Sequence, residues 1–481
     1  MNKPLRHVSL VMAVLMLLLF GSTTYFQAIT ANELNADSRN ARAIYNEYGR
    51  HRGPIVVGGI AVASSSPSND RYGYQRSYEQ GPMYAPATGY YSVVYGFTGV
   101  ESQMKNELSG DADALFYQRL TDLVSGRPGK GASVELTIDP DAQAAAYQAL
   151  DGRRGAAVAI DPETGAILAL VSTPSYDPNV LADHNTTDVA AAWKQLQEDP
   201  DRPMVNRAIA GNLYPPGSTF KLLVAASALQ TGDYTKDTVV PGPGAYRLPN
   251  STAVMSNHPR GNQTPCGPDD ESSLEAAMRK SCNTSFAMLG VKLGEDQLNK
   301  TLSDYGFGQK QEIPMPVTPS SIGTDLDDAQ LATTSIGQYE DKVTPMQMAM
   351  VAASFANDGV VMKPQLVKSV RTSTLTEVDR MVPQKMSQPL SASQAAQMRQ
   401  MMVSVVEDGT GSAARIRGAE VGGKTGSAEW EAGKRPHSWF VGYAKKDGKQ
   451  VAVAVVVEEG GYGGEVAAPI ARDVMEAVVL K

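Results

Sequence analysis

The longest apolar stretch of the chain comes first. Val8 to Ile29, "VSLVMAVLMLLLFGSTTYFQAI", carries no charge over 22 residues, and about 20 residues in a helix cross a bilayer. Lys3 and Arg6 precede it, which puts residues 1–7 on the cytoplasmic side and the remainder outside. The most continuous part, Leu10 to Phe20, also has the length of a signal-peptide core, with small residues behind it in "AITA". The cleavage site is poor, which favours an uncleaved anchor over 8–29.

Past the anchor, "NELNADSRNARAIYNEYGR" predicts a helix and "GPIVVGGIAVASSS" predicts extended chain. Residues 64–99 are rich in Ser, Pro, Gly and Tyr and predict short strands and turns. A linker-like "SGRPGKGAS" at 125–133 leads into "VELTIDPDAQAAAYQAL", a strand that enters a helix at Asp139 and Pro140. From residue 155 the texture changes. "GAAVAIDPETGAILALVSTPS" is two apolar runs around a turn, and "SWFVGYA" and "VAVAVVVEE" form a second such pair near the end. "APIARDVMEAVVL" closes the chain with helical periodicity. These patterns predict a small mixed α+β pedestal over 30–150 and an α/β domain over 151–481. The sheet of that domain is built from its two ends, with a long, mostly helical insert between them. Starting near Gly155 or at the 125–133 linker, it is expected to build its own core.

Composition narrows the chemistry. The 481 residues include 43 basic and 51 acidic side chains, a net charge of −8 that speaks against a nucleic-acid partner. The five histidines are scattered without metal-ligand spacing, and neither a phosphate-binding loop nor a G-x-S-x-G elbow occurs. The two cysteines, Cys266 and Cys282, suit one disulfide in an oxidising compartment, with two free buried thiols as the alternative.

"PPGSTFKLL" (215–223) places a serine directly after two prolines and a glycine, and a lysine one helical turn later. Ser218 as a plain helix cap explains this equally well in isolation. Residues three apart share a helix face, so Lys221 can also reach the Ser218 hydroxyl. The tetrapeptide is weak evidence by itself; Ser102-Gln103-Met104-Lys105 has the same spacing and no other sign of chemistry. Two further motifs change its weight. Ser281-Cys282-Asn283 lies 63 residues after Ser218, and Lys424-Thr425-Gly426 lies 143 residues after Ser281. S-x-N has its own decoy at Ser38-Arg39-Asn40, and K-T-G alone is any turn. The ordered set is specific to serine acyl-transfer enzymes of the penicillin-binding and β-lactamase type.

With "NRAIAGNLYPPGSTFK", "SIGQYEDKVTPMQMAMVAASFANDG" and "VVEDGTGSAA", the chain resembles the transpeptidase domain of class B penicillin-binding proteins over most of 155–481. "RNARAIYNEYGRHRGPI" and "GYYSVVYGFTGVE" extend the resemblance into the N-terminal region. There "RGPI" continues as "VVGGIAV" where many members have D-R-N-G. No glycosyltransferase segment of the class A kind is recognisable. The resemblance implies an antiparallel sheet with helices plus an all-helical lobe. It implies Ser218 as nucleophile, Lys221 as its base, Ser281 as proton relay and Asn283 as the group that orients Lys221 and holds the peptide. Lys424 and Thr425 would bind the peptide's terminal carboxylate, with Gly426 keeping side chains clear and the Ser427 N–H completing an oxyanion hole. The implied partners are stem peptides ending in D-alanyl-D-alanine, β-lactam antibiotics, the cytoplasmic membrane and other cell-wall synthesis or division proteins. No metal or organic cofactor is implied. A carboxypeptidase or β-lactamase on the same scaffold, or a lapsed sensor or divisome scaffold, are the alternatives. Cys282 reads as a disulfide partner more than a nucleophile. His437, near the cleft together with Trp439, reads as an exposed strand-start residue.

Overall fold

The computed structural model describes residues 2–29, 48–115, 124, 129–211, 213–257 and 263–481. Helix α1 (Asn2–Thr24) continues into a wider turn over Tyr25–Ile29. Its stretch Lys3–Gln27, with a mean hydropathy of 2.0, is long and apolar enough to cross a membrane. Its leucines and methionines are exposed, with none of the described residues burying them. All but the last three residues of the helix expected from "NELNADSRNARAIYNEYGR", and with them the Ser38–Asn40 decoy, fall outside the described residues.

The pedestal forms around an antiparallel run of β1 (Ile55–Val57), β2 (Ile60–Pro67) and β3 (Tyr74–Tyr78). Within 64–99, read from sequence as strands and turns, lies a helix, α2 (Gly81–Thr88). Its one internal break signal, Pro86, is outweighed by a favourable Pro82 in the first turn and by burial of six of its eight residues. Beneath the sheet, Glu101 is fully buried between Arg52 and Arg76, at 2.5 and 2.7 Å. Burial alone would raise its pKa; the two guanidinium groups reverse this and hold it ionised. The Arg52-Gly53 pair of "RGPI" is thereby explained. Arg52 serves the buried carboxylate, and a Cβ on Gly53 would fall 1.9 Å from the Ala132 carbonyl oxygen.

The next segment corrects the sequence-based boundary. Strand β4 (Ser133–Leu136) runs parallel to β1, and α3 (Pro140–Leu150), capped by Asp139, follows it. Assigned to the pedestal by position, α3 instead buries Ala142, Ala146 and Leu150 in the core of the C-terminal domain. Then come β5 (Gly155–Ile160) and β6 (Ile167–Thr173), the hairpin read from the sequence. The insert holds α4 (Lys221–Thr231), α5 (Leu274–Lys280), α6 (Asn283–Leu293) and the wholly buried α7 (Pro345–Ala356). Strands β7 (Val367–Arg371) and β8 (Glu377–Arg380) leave it to join the pedestal sheet, whose order is β8-β7-β4-β1-β2-β3. Beyond α8 (Ala392–Asp408), the chain returns through β9 (Glu420–Ala428), β10 (His437–Lys446), β11 (Lys449–Val457) and α9 (Ala467–Val479).

The main sheet is antiparallel in the order β9-β10-β11-β5-β6. It is covered by α7 on one face and by α3 and α9 on the other, and β5 and β11 are buried on both sides. That double cover is why "GAAVAI" and "VAVAVVV" show no polar alternation. The K-T-G segment lies within edge strand β9, directly before the β10–β11 hairpin.

Candidate active site

Ser218 sits in a single 3₁₀ turn, Gly217–Phe220, that runs directly into α4. The turn starts from Gly217 at φ 54°, a left-handed conformation that favours glycine. Its N–H donates to the Gly337 carbonyl at 2.9 Å. A Cβ on Gly337 would meet the Gly217 oxygen at 2.2 Å, and one on Gly426 the Pro216 oxygen at 3.0 Å. Three glycines thus let the serine turn, the 335–338 loop and β9 touch backbone to backbone. Trp439, paired with Gly426 across β9 and β10, braces the preceding prolines by donating its indole N–H to the Pro215 carbonyl at 3.1 Å.

The other two motifs converge on this turn. Ser281 ends α5 in a left-handed conformation, φ 59°, which aims its side chain back at the Lys221 side of the cleft. Lys221 is fully buried; its ammonium donates to the Asn283 amide oxygen at 2.7 Å, the Ser281 carbonyl at 2.8 Å and the Ser281 hydroxyl at 3.3 Å. It also sits 5.7 Å over the Phe286 ring. Lys424, equally buried, donates to the same Ser281 hydroxyl at 2.8 Å and to the Thr425 carbonyl at 3.0 Å. One hydroxyl therefore joins two lysines. Burial, and then the charge of Lys424, hold the Lys221 amine well below the ordinary lysine pKa. Burial brings Lys424 down to about 7.

Ser218, Ser281, Asn283, Thr425, Gly426 and Ser427 line one cleft of about 950 Å³, with the two lysines behind its wall. The structure brings every motif residue of the sequence reading together there. Ser218 is half-buried at its floor, but Lys221 spends its hydrogen bonds on Ser281 and Asn283 and not on the Ser218 hydroxyl. Cys266 and Cys282 are disulfide-bonded, with Cα atoms 6.1 Å apart, tying the S-x-N turn to the loop before it. The decoy Ser102–Lys105 lies in the pedestal, running from the end of one short helix into the start of the next. His437 departs from expectation. It is buried, its imidazole accepts the Glu459 N–H at 3.1 Å, and Trp430 stacks on it. Burial lowers its pKa. It braces the strand start from inside.

Two contributors escaped the sequence reading. The Asn257 side chain accepts the backbone N–H of Asn283 at 2.9 Å and that of Thr284 at 3.2 Å, fixing the start of α6. Thr410 hydrogen-bonds the Thr425 hydroxyl at 2.6 Å from the loop after α8. Thr410 lies within "VVEDGTGSAA", a segment already quoted for the resemblance. Asn257 carried no signal.

Residues 155–476 match the family model of the penicillin-binding protein transpeptidase domain, and 52–134 that of the penicillin-binding protein A dimerisation domain. The chain is 41% identical to the peptidoglycan D,D-transpeptidase PbpA of Mycolicibacterium smegmatis, over 100% of this chain and 99% of that one. Its identity to PbpA of Mycobacterium tuberculosis is 39% over the same shares. Among solved structures, penicillin-binding protein A of M. tuberculosis as its ceftriaxone acyl-enzyme aligns with a TM-score of 0.86 at 38% identity, covering 90% of this chain and 99% of that one. The penicillin G acyl-enzyme of the same protein aligns with a TM-score of 0.84 at 38% identity, over 89% and 99%.

Proposed function

The chain belongs to the penicillin-binding protein transpeptidases, and from that membership we propose how this peptidoglycan D,D-transpeptidase uses its own residues. The observation that carries the proposal is the Ser281 hydroxyl held between two buried lysines, in one cleft with Ser218.

A serine hydroxyl is a poor nucleophile near neutral pH and needs a base. Lys221, whose amine is held well below the ordinary lysine pKa by burial and by Lys424, takes the Ser218 proton as Oγ attacks the carbonyl of the penultimate D-alanine. The oxyanion forms between the backbone N–H groups of Ser218 and Ser427, donors whose removal in related acyl-transfer sites costs about 3 kcal/mol. The tetrahedral intermediate collapses as the C–N bond breaks. The proton on Lys221 passes through the Ser281 hydroxyl to the departing nitrogen, and D-alanine leaves. Lys424 and Thr425 hold the terminal carboxylate until then, and Asn283 fixes Lys221 and the donor peptide. An amine from a second stem peptide attacks the Ser218 ester along the reverse proton path, forming the cross-link. β-Lactams enter the same sequence through their strained amide and stop at the acyl-enzyme.

We also infer that α1 anchors the chain with residues 1–7 in the cytoplasm and the catalytic domain outside, supported by its apolar length and by Lys3 and Arg6 before it. Two measurements test the whole reading. Benzylpenicillin should add its mass to the protein but not to Ser218→Ala, and undiminished labelling of that variant would overturn the nucleophile. Lipid-linked peptidoglycan polymer should yield cross-linked products by mass spectrometry; trimmed monomers alone would make the enzyme a hydrolase.

A further inference from the structure

A second cavity, of about 530 Å³, opens where the pedestal meets the catalytic domain, and it shares no lining residue with the catalytic cleft. Its walls come from α2, the 97–103 segment, the end of β6 and residues 203–209. The lining is distinctive in chemistry. Among the described residues, no charged side chain lines the cavity. Aromatic surface comes from Trp193, Tyr90 and Phe97. Trp193 is held rigidly, stacked on Tyr95 with ring centroids 4.1 Å apart and met edge-on by Tyr90 at 5.9 Å. Among these rings stand neutral hydrogen-bonding groups on Ser102, Gln103 and Ser175, and the Ser175 hydroxyl is buried with no hydrogen-bond partner among the described residues.

We propose that this cavity binds the glycan backbone of peptidoglycan, one or two N-acetylhexosamine units of the strand that carries the stem peptides. The proposal rests on the transpeptidase reading for its choice of polymer. A pyranose ring offers an apolar C–H face that lies flat on an aromatic ring, and neutral hydroxyl and acetamido groups at its edge. That is the complement of a cavity with aromatic walls, neutral polar groups and no charge. A stem peptide, with its carboxylates and amines, finds no counter-ion here. An acyl chain would cover the Ser102 hydroxyl and the Gln103 amide without pairing them, which is costly. The volume lies within the range of ordinary small-molecule sites. Binding here would hold a glycan strand against the junction while a stem peptide lies in the separate catalytic cleft.

The test uses the full-length protein in detergent and a β-1,4-linked N-acetylglucosamine tetramer as probe, read by saturation-transfer difference NMR. Binding should be saturable and should persist after benzylpenicillin has acylated Ser218, which closes the catalytic cleft. Ser102→Tyr, which fills the cavity, should weaken it by at least about tenfold while penicillin acylation proceeds at the wild-type rate. Trp193→Ala, judged by the same acylation control, is the second variant should Ser102→Tyr fail to fold. No saturable binding, binding abolished by acylation, or binding unchanged in an acylation-competent variant would each overturn the proposal. Failure of penicillin to label Ser218 would instead strike the catalytic reading, because the probe titration is also run on unlabelled protein.

Discussion

Replacing Lys424 by methionine should move the acid limb of Ser218 acylation to higher pH. Lys221 works only as the neutral amine, so acylation rises as pH climbs through its pKa, and the cation at Lys424 helps keep that pKa low. Both ammonium groups bond the Ser281 hydroxyl, at 2.8 and 3.3 Å. For a tetrahedral arrangement at that oxygen the two nitrogens stand about 5 Å apart, and at an effective dielectric of about 20 two unit charges then repel by about 3 kcal/mol. That corresponds to roughly two pH units. Lys424 is itself only partly protonated near neutrality, with its pKa at about 7, so the expected movement is about one to two units. Methionine keeps the buried apolar stem and removes the charge. Below the limb, acylation should fall about ten- to a hundredfold; above it, the rate should approach wild type. The assay is single-turnover acylation by stopped flow from pH 5 to 10, with an ester donor lacking a carboxylate so that lost carboxylate binding does not intrude. An unmoved limb, or one displaced to lower pH, would refute the electrostatic role of Lys424.

Lys221→Ala should lower acylation by about 10²–10⁴-fold for every donor, with or without a carboxylate, and a loss confined to carboxylate-bearing donors would contradict its role as base. Gly217→Ala should destabilise the protein by about 1–2 kcal/mol for the left-handed backbone alone, and more because its Cβ would lie 3.1 Å from Ala428; calorimetry together with the acylation rate decides it. Reducing the Cys266–Cys282 bond, whose cysteines are 16 apart in sequence, should cost about 3 kcal/mol on the chain-entropy account. Thermal melts with and without reductant read this, and identical melts would exclude it. A chain starting at Ser133 should fold and react with penicillin, whereas one starting at Gly155 should aggregate. The second loses α3 from the core and strips β4 from the edge of β7; equal behaviour of the two would show the junction to be dispensable.

Wherever the physics is local, the sequence alone was sufficient. The span of α1 follows from an uncharged run of bilayer length, and the β5–β6 and β10–β11 hairpins follow from apolar runs separated by a few turn residues. The Ser218–Lys221 pair needs only one helical turn, and Asp139 before Pro140 caps α3 whatever it packs against. Other features depend on chain distance that no short window contains. The motifs single out Lys221 and Lys424, but their lowered pKa values come from burial, to which the charge of Lys424 adds at Lys221, and that burial exists only once β9 is docked beside α4. Asn257 gains its role because a loop before the disulfide folds over α6, and His437 is buried because Trp430 and the 458–459 turn close over it. The ownership of α3, β7 and β8 was decided in the same way. A helix or strand commits its buried face through partners up to hundreds of residues away, β4 finding β7 across more than two hundred. Local pattern says that such a face exists; tertiary packing alone chooses what covers it.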